Sequence, residues 1–524
     1  MKILLAYTSG MPDRQDPYIS LLPTGLCSLQ ACLRAAGFDA VLANFSSWSA
    51  ADVRQQLLRL KPDIAGISQW THNRHAALDL AHLVRSVNPD CTIIMGGAHA
   101  SFCYTDILGN GSPVDCVVLG EGEETLLELA HHVQQGTSWT DVQGIACLSN
   151  GTVAVTPRRP PLKNLDLLPS ATSFLEFSIG MDIQLQSEFI LTTRGCPSAC
   201  HFCSSPKFWE RKVRFRSPQR IVDEMMDISA RYGLIYFSLR DDTFTADRVR
   251  TIEFCRLLTE RRAHILWNCQ SRVNALDEEL LVWMKRAGCE CVQLGVESGS
   301  PRILSQLGKT ITPAQVEQAA GLIRKVGINL SVYLISDVPG ETEDDLRQTI
   351  ELIRRIRPDD GYVSPLAYFP GTRMFEEAVS AGLVGSNVFE INRQSAVYAA
   401  GEPGRNSRLL LKSIAGAAPR DGLRFKRQKD LLGYCSTTNV LAGEFHRQRG
   451  ELKSAEGEFR EITEKEPDNP WGWYLLGELY DEMGENKQAL ECYRKVCRIV
   501  PEHGPSRLAL QAKKKRGRIG PAPF

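Results

Sequence analysis

The chain has 524 residues, and 61 Lys and Arg balance 61 Asp and Glu. Zero formal charge lacks the basic excess of a dedicated nucleic-acid binder, and 43% hydrophobic with 23% charged residues excludes a disordered chain. No run approaches the about 18 apolar residues of a membrane span, and about 150 residues per domain asks for roughly three domains.

Met1-Lys-Ile-Leu-Leu-Ala-Tyr7 is too short for a signal segment and reads as a first strand. The expected compartment is therefore cytoplasmic, where thiols stay reduced. The sixteen cysteines then point to metal or redox chemistry where they cluster, not to disulfides.

Residues 1–150 alternate strand and helix. Lys2–Tyr7 is apolar; Leu26, Leu29, Leu33 and Ala36 recur at helical spacing and Gly37 stops the helix. Phe38–Ala43 is a strand, Val53–Leu60 a helix ended by Pro62, and Asp63–Ser68 a buried-type strand. A helix over 76–87, strands at Thr92–Met95 and Val114–Leu119, and a helix at Glu123–His132 complete the set. This alternation predicts a parallel, doubly wound Rossmann-like sheet that binds its ligand at the carboxyl ends of the strands. Those ends carry Ser68-Gln-Trp-Thr71, Gly96-Gly-Ala-His99 and Gly120-Glu-Gly-Glu123, rich in glycines that let a backbone approach a large ligand.

With Pro23-Thr-Gly-Leu26, these pieces resemble the cobalamin-binding domain that precedes many radical S-adenosylmethionine (radical SAM) enzymes. The resemblance assigns Thr71, Gly96, Gly97 and Glu121 to cobalamin. The Asp-x-His-x-x-Gly motif for a lower-axial histidine is absent, and His72, His75 and His99 read as loop histidines. A Rossmann-like domain for another ligand is the alternative. Residues 151–185 read as a joining segment, entered by a hairpin turn at Asn150-Gly151 and broken by Pro157-Arg-Arg-Pro-Pro161.

The strongest signal is Arg194-Gly-Cys196-Pro-Ser-Ala-Cys200-His-Phe-Cys203, spaced Cys-x3-Cys-x2-Cys. Three thiolates on one loop can hold three irons of a 4Fe-4S cube and leave the fourth open to an amino and a carboxylate group. Structural zinc is the competitor, but it takes four ligands, and the fourth candidate, His201, lies inside the loop.

This motif resembles the signature of radical SAM enzymes, with Phe202 as the aromatic residue before the third cysteine. The resemblance runs from 188 to about 385 through Tyr236–Phe244, Trp267–Arg272, Gln293–Ser300 with Leu307-Gly-Lys309, Ser331–Ile335 with Pro339-Gly-Glu-Thr342, and Tyr368–Thr372. It assigns Cys196, Cys200 and Cys203 to a 4Fe-4S cluster, and Phe202, Glu297, Ser300 and Arg272 to SAM. Asp241, Asp242 and Arg272, at strand ends, are the catalytic candidates. Each has a structural alternative: Glu297 as a barrel-end carboxylate, Arg272 as an ion-pair partner, the aspartates as turn caps. Asp337 stands where the family often has Gly. Helices at 221–232, 248–262, 278–287, 313–326 and 343–355 alternate with the strands, which predicts a partial or full TIM-like barrel over 186–385.

Residues 386–435 show little pattern, with breaks at Gly401-Glu-Pro-Gly404 and Gly416-Ala-Ala-Pro419. From 436, Gly450, Ala455, Phe459 and Pro467 recur 34 residues later as Gly484, Ala489, Tyr493 and Pro501. With Trp473, Leu476, Gly477 and Tyr480, this resembles two α-helical tetratricopeptide repeats (TPR) over 436–510, which either pack on 386–435 or recruit a protein partner. The basic run Lys513–Arg518 within 511–524 reads as a solvated tail.

The resemblance implies reductive cleavage of SAM to a 5′-deoxyadenosyl radical, with cobalamin as methyl carrier and a C-methylated small molecule, lipid or natural-product intermediate as product. An electron donor such as flavodoxin or ferredoxin is implied, and no nucleic acid. Radical cyclisation, rearrangement or methylthio transfer is the second reading. A TPR adaptor with a vestigial barrel is the third, against which the intact cysteine set stands.

Overall fold

The computed structural model describes residues 1–9, 21–109, 111–149, 151–394, 396–400, 404–419 and 421–516. Asn150, residues 401–403 and the end of the basic run lie outside the described residues. Strand β1 (Lys2–Tyr7) is apolar from Ile3 onward and buried, as a central parallel strand is. It pairs in parallel with β2 (Asp39–Asn44) and β3 (Ile64–Ser68), and β4 (Thr92–Gly96) and β5 (Cys116–Val118) extend the sheet beyond β3. Helices Thr24–Ala35 and Glu123–Gln135 cover one face through Leu26, Leu33, Leu126 and Leu129. Helices Ala50–Leu60 and Arg74–Val87 cover the other through Val53, Leu57, Leu80 and Val84.

The segment expected to join two domains supplies both edges of this sheet. Strands β6 (Ile145–Ser149) and β7 (Thr152–Val155) form an antiparallel edge hairpin, and β8 (Ser178–Ile179) runs parallel to β2. The order is β7-β6-β5-β4-β3-β1-β2-β8. The chain steps from β1 to β2 and then back across β1 to β3. The carboxyl ends of β1 and β3 therefore flank the switch point where such sheets open a crevice.

The second sheet begins at β9 (Phe189–Ile190). A small antiparallel pair follows, β10 (Thr193–Arg194) with β11 (Arg214–Phe215). Strands β12 (Tyr236–Leu239), β13 (Leu266–Ser271), β14 (Cys289–Glu297), β15 (Asn329–Ser336) and β16 (Asp360–Pro365) then build a parallel sheet in the order β16-β15-β14-β13-β12-β9. Among the described residues its end strands β16 and β9 do not pair, so the barrel is partial. Five long helices between these strands each start at a Ser, Asp or Thr whose side chain accepts a backbone N–H: Ser217, Asp247, Asp277, Thr312 and Thr342. A shifted register in β14 puts Cys289 in the outer core with Val292, three residues on.

The region without a visible pattern belongs to the barrel. Helix Arg405–Ala417 seats Leu410 and Ile414 in the barrel core, and helix Leu423–Leu432 follows it. The repeats are helix pairs Ser436–Gln448 with Leu452–Lys465 and Pro470–Glu482 with Asn486–Ile499. They dock under the amino ends of the barrel strands: Leu266 joins their core, Arg262 pairs with Asp468 at 2.6 Å, and the Cys435 thiol lies 3.8 Å from the Lys285 carbonyl. A last helix, Gly504–Arg516, takes in the start of the basic run, and Lys513 pairs with Asp481 at 2.5 Å. No described helix is long and apolar enough to cross a membrane.

Candidate active site

The cysteine loop leaves β10 at Arg194 and turns on Gly195. There φ is +99°, and a Cβ would lie 2.0 Å from the Lys212 carbonyl oxygen, so only glycine fits. Phe202 packs beside Ile303, Leu307 and Met374 and pins the middle of the loop. His201 is an anchor, not a ligand: its Nδ1 meets the Gln306 carbonyl at 3.0 Å, its N–H donates to the Leu307 carbonyl, and its own carbonyl accepts from Met374. Cys196, Cys200 and Cys203 are half-buried and close together: Cys196 adds to the rise of the Cys200 thiol pKa, and Cys196 and Cys200 to that of Cys203. Burial is the larger cause; it pushes the Cys203 thiol up to about 12 and raises Cys200 as well, where the Lys309 and Arg272 cations offset part of the rise.

Among the described residues, no three His, Cys, Asp or Glu side chains converge on a single metal ion. A cube makes no such demand, because each thiolate takes a different iron. Three soft donors on one glycine-hinged loop, with two cations beside them to offset thiolate charge, fit a 4Fe-4S cluster.

Glu297 lies where SAM is expected, beside Cys200. It is buried at the carboxyl end of β14, holds a left-handed backbone at φ +66°, and pairs with Lys309 at 3.1 Å. Burial raises its carboxyl pKa, and Lys309 offsets part of that. No hydrogen bond or ion pair to the Arg272 guanidinium exists among the described residues, and its charge acts on Cys200. Ser300 is placed otherwise. It is buried, its Oγ accepts from the Ile303 N–H as a helix cap, and it donates to Asp345 at 2.6 Å. Asp241 accepts from the Thr192 and Thr193 N–H groups at 2.6 and 2.9 Å and is fully buried, which makes it a tie between strand ends and not a group facing a ligand. Asp242 is exposed, accepts from Ser205 at 2.5 Å and faces the cavity described next. Asp337 has φ +58°, the conformation that favours glycine and that Asp tolerates; its carboxylate accepts from Ser336 at 2.8 Å.

A cavity of about 760 Å³ lies between the carboxyl ends of the first sheet and the cysteine loop. Gly66, Ser68, Trp70, Gly96, Gly97 and Gly120 line it from one side, and Cys203, Ser205, Phe208, Trp209, Arg240 and Asp242 from the other. This is the size of a cofactor site. Gly25 and Gly120 line it too, and a Cβ on either would meet no atom within 4 Å. Side chains there would occupy the open space, so the glycines keep a cradle clear for a large ligand. The cradle fits cobalamin. Thr71 is not part of it: buried, it bonds His99 Nδ1 at 3.1 Å. Tyr7 engages His72 at 2.9 Å, and His75 Nε2 meets the Asn392 carbonyl at 2.8 Å.

Glu121 borders the cavity but is consumed by ion pairs that join the two sheets. Arg194 spans Glu121 at 2.6 Å and Glu123 at 2.5 Å, and Arg214 reaches Glu121 at 2.7 Å. Burial alone would raise the Glu123 carboxyl; Arg194 and the Ser28 hydroxyl outweigh it and hold it low. Sequence reasoning passed over Arg194 and Arg240. The first directly precedes the Gly-Cys of the motif, and the second stands at a strand end one residue before Asp241.

The Radical SAM superfamily profile matches residues 190–353, the B12 binding domain profile 20–130 and the Tetratricopeptide repeat profile 470–503. The chain is 30% identical over 367 residues to an uncharacterized methyltransferase of Pyrococcus horikoshii, covering 69% of this chain and 79% of the relative. It is 32% identical over 366 residues to the anaerobic magnesium-protoporphyrin IX monomethyl ester cyclase of Rubrivivax gelatinosus, covering 68% and 66%. Among solved structures, the radical SAM methyltransferase TsrM of Kitasatospora setae, with cobalamin and a [4Fe-4S] cluster bound, superposes with a TM-score of 0.66 at 17% identity over 88% of this chain and 100% of that one. The cobalamin-dependent radical enzyme OxsB with aqua-cobalamin gives 0.62 at 17% identity over 99% and 82%. The cofactors that the two profiles carry, a 4Fe-4S cluster with SAM and cobalamin, fit the loop and the cavity. The chain belongs to the radical SAM superfamily, as an enzyme that carries the B12-binding domain ahead of its barrel.

Proposed function

We propose that the protein methylates a carbon atom of a small molecule, a lipid or a natural-product intermediate, with SAM as both radical source and methyl donor. The observation that carries this reading is the single cavity lined on one side by the sheet ends that fit cobalamin and on the other by Cys203 and the residues after it. When bound, the cluster supplies the electron that cleaves SAM, and the corrinoid supplies a methyl carrier. The chain's own residues place these groups. Gly195 and the His201 and Phe202 anchors fix the cysteine loop. The Arg194 ion pairs lock that loop against the corrinoid crevice, and the cavity walls keep the reacting groups from water. Glu297 and Lys309, with Arg272, offer a carboxylate and cations beside the loop for the charged groups of SAM. A flavodoxin or ferredoxin delivers the electrons, and the repeat helices offer a protein surface.

The test is product analysis after anaerobic incubation of the reconstituted protein with dithionite and SAM. Methyl transfer requires both 5′-deoxyadenosine and S-adenosylhomocysteine. 5′-Deoxyadenosine alone would favour cyclisation or rearrangement, and neither product would end the radical reading.

A further inference from the structure

The inner face of the partial barrel is polar on every long strand. Side chains alternate along a strand, and Leu239, Cys269, Leu294, Val332 and Val363 point outward into or against the helix-covered core. The residues between them point inward. The register sets Gln270, Gln293 and Ser331 side by side, and, nearer the cysteine loop, Gly295, Tyr333 and Tyr362.

Several features of these rows point to a ligand. Tyr333 and Tyr362 stack with centroids 5.3 Å apart and planes 18° apart. The Tyr333 hydroxyl donates to Gln293 at 2.9 Å, while Tyr362, on the edge strand, is 56% exposed. An aromatic ring on the inner face of an unpaired barrel edge is a stacking platform without a second partner. Ser331 is 1% exposed, and its hydroxyl is without a hydrogen-bond partner among the described residues. It sits two residues before Tyr333 on the same face, and such a group calls for one. Arg240, at the end of β12, lies over the Phe189 ring at 5.0 Å and lines the large cavity. Its charge reaches Tyr333 and Glu188, yet no hydrogen bond or ion pair holds its guanidinium among the described residues. The rows connect to the cluster end: a Cβ on Gly295 would lie 2.7 Å from Glu297 Oε1 and 3.2 Å from Lys309 Nζ.

We propose that Tyr362, Tyr333, Gln293, Ser331 and Arg240 form the substrate subsite, and that the substrate is a planar unsaturated ring system bearing a carboxylate. The ring stacks on Tyr362, its heteroatoms meet Gln293 and Ser331, and the carboxylate meets the fork of Arg240. One fork matches one carboxylate, while the inward cations Arg272 and Lys309 lie at the cluster end beside Cys200. This rests on the proposed function, since it places the acceptor between the cluster end and the corrinoid cavity.

The test is calorimetric titration of the full-length protein with three probes: 2-naphthoate, the neutral 2-naphthamide and the saturated decahydro-2-naphthoate. The expected result is that 2-naphthoate binds about tenfold or more tightly than either analogue. Tyr362→Ala should abolish the preference over the saturated acid and keep the preference over the amide. Arg240→Gln should do the reverse, and Tyr362→Phe should behave as the parent. Equal binding of 2-naphthoate and its saturated form, preferences unmoved by the two variants, or no binding of 2-naphthoate at about 1 mM would each overturn the subsite. SAM products measured on the same preparations separate the two readings. SAM cleavage without ring preference removes the subsite and leaves the function; ring preference without SAM products does the opposite.

Discussion

Arg194→Ala removes the cation that ties the cysteine loop to the crevice of the first sheet. The side chains involved are 14% exposed for Arg194, 11% for Glu121 and 6% for Glu123. That places them among buried pairs, where loss of one partner costs about 3–5 kcal/mol, and not among surface pairs at about 0–1 kcal/mol. Glu121 keeps Arg214 at 2.7 Å, so the deficit falls on Glu123, left with Ser28 alone. The lower end, about 3 kcal/mol, corresponds to roughly a hundredfold rise in local opening. The sign with pH follows from Glu123. Its folded pKa is lowered in the parent, so its contribution is present above the unfolded carboxylate value and lost as pH falls through the folded one. In the variant burial is opposed by Ser28 and a backbone N–H but no longer by Arg194, so that pKa rises from its parent value, and the gap between parent and variant should widen as pH rises from about 4 to 7. Hydrogen exchange at residues 119–123 and 192–196 reads the opening directly. Equal protection in parent and variant at both pH values would refute the account of the latch.

Gly195→Ala forces a Cβ to 2.0 Å from the Lys212 carbonyl and should strip most of the reconstituted iron, read by iron analysis. Asp337 sits at φ +58°, so Asp337→Gly should leave thermal stability nearly unchanged, while Asp337→Val should cost about 1–2 kcal/mol. Lys285 is fully buried, and burial lowers its ammonium pKa to about 8. The unfolded chain then binds more protons between that value and the ordinary lysine value, so stability should rise with pH across this window. Lys285→Met should remove that rise, which denaturation series at about pH 8.5 and about pH 10, both inside the window, would show; equal slopes in parent and variant would contradict it.

Much of the fold was legible because its signals are local. The apolar run of β1, the Leu26–Leu33 spacing with Gly37 behind it, and the Cys-x3-Cys-x2-Cys loop each declare themselves within a few residues. β8 did not, since a two-residue edge strand has no period to read. Helix Arg405–Ala417 was hidden between turn-like residues, although Leu410 and Ile414 sit one helical turn apart. Ser300 was assigned to SAM by resemblance, yet Ser300-Pro301 is itself a helix-start signature. Glu121 was legible as a crevice residue, but its partners Arg194 and Arg214 lie more than 70 residues away, and no local pattern announces such a pair. The polar inner face of the barrel was available in the alternation of Asn329, Ser331 and Tyr333, and of Asn268, Gln270 and Arg272.

Cobalamin is held in the cavity between the first sheet and the cysteine loop, on the side away from the cluster cysteines Cys196 and Cys200. Gly25 lies in helix Thr24–Ala35, lines that cavity, and a Cβ there meets no atom within 4 Å, so Gly25→Trp fills the space without straining the backbone. Corrinoid and iron are counted per chain, in parent and variant, after anaerobic reconstitution with excess hydroxocobalamin. The account expects the parent to retain about one corrinoid and four irons, and the variant to lose the corrinoid while keeping the iron. A variant that retains its corrinoid would contradict it.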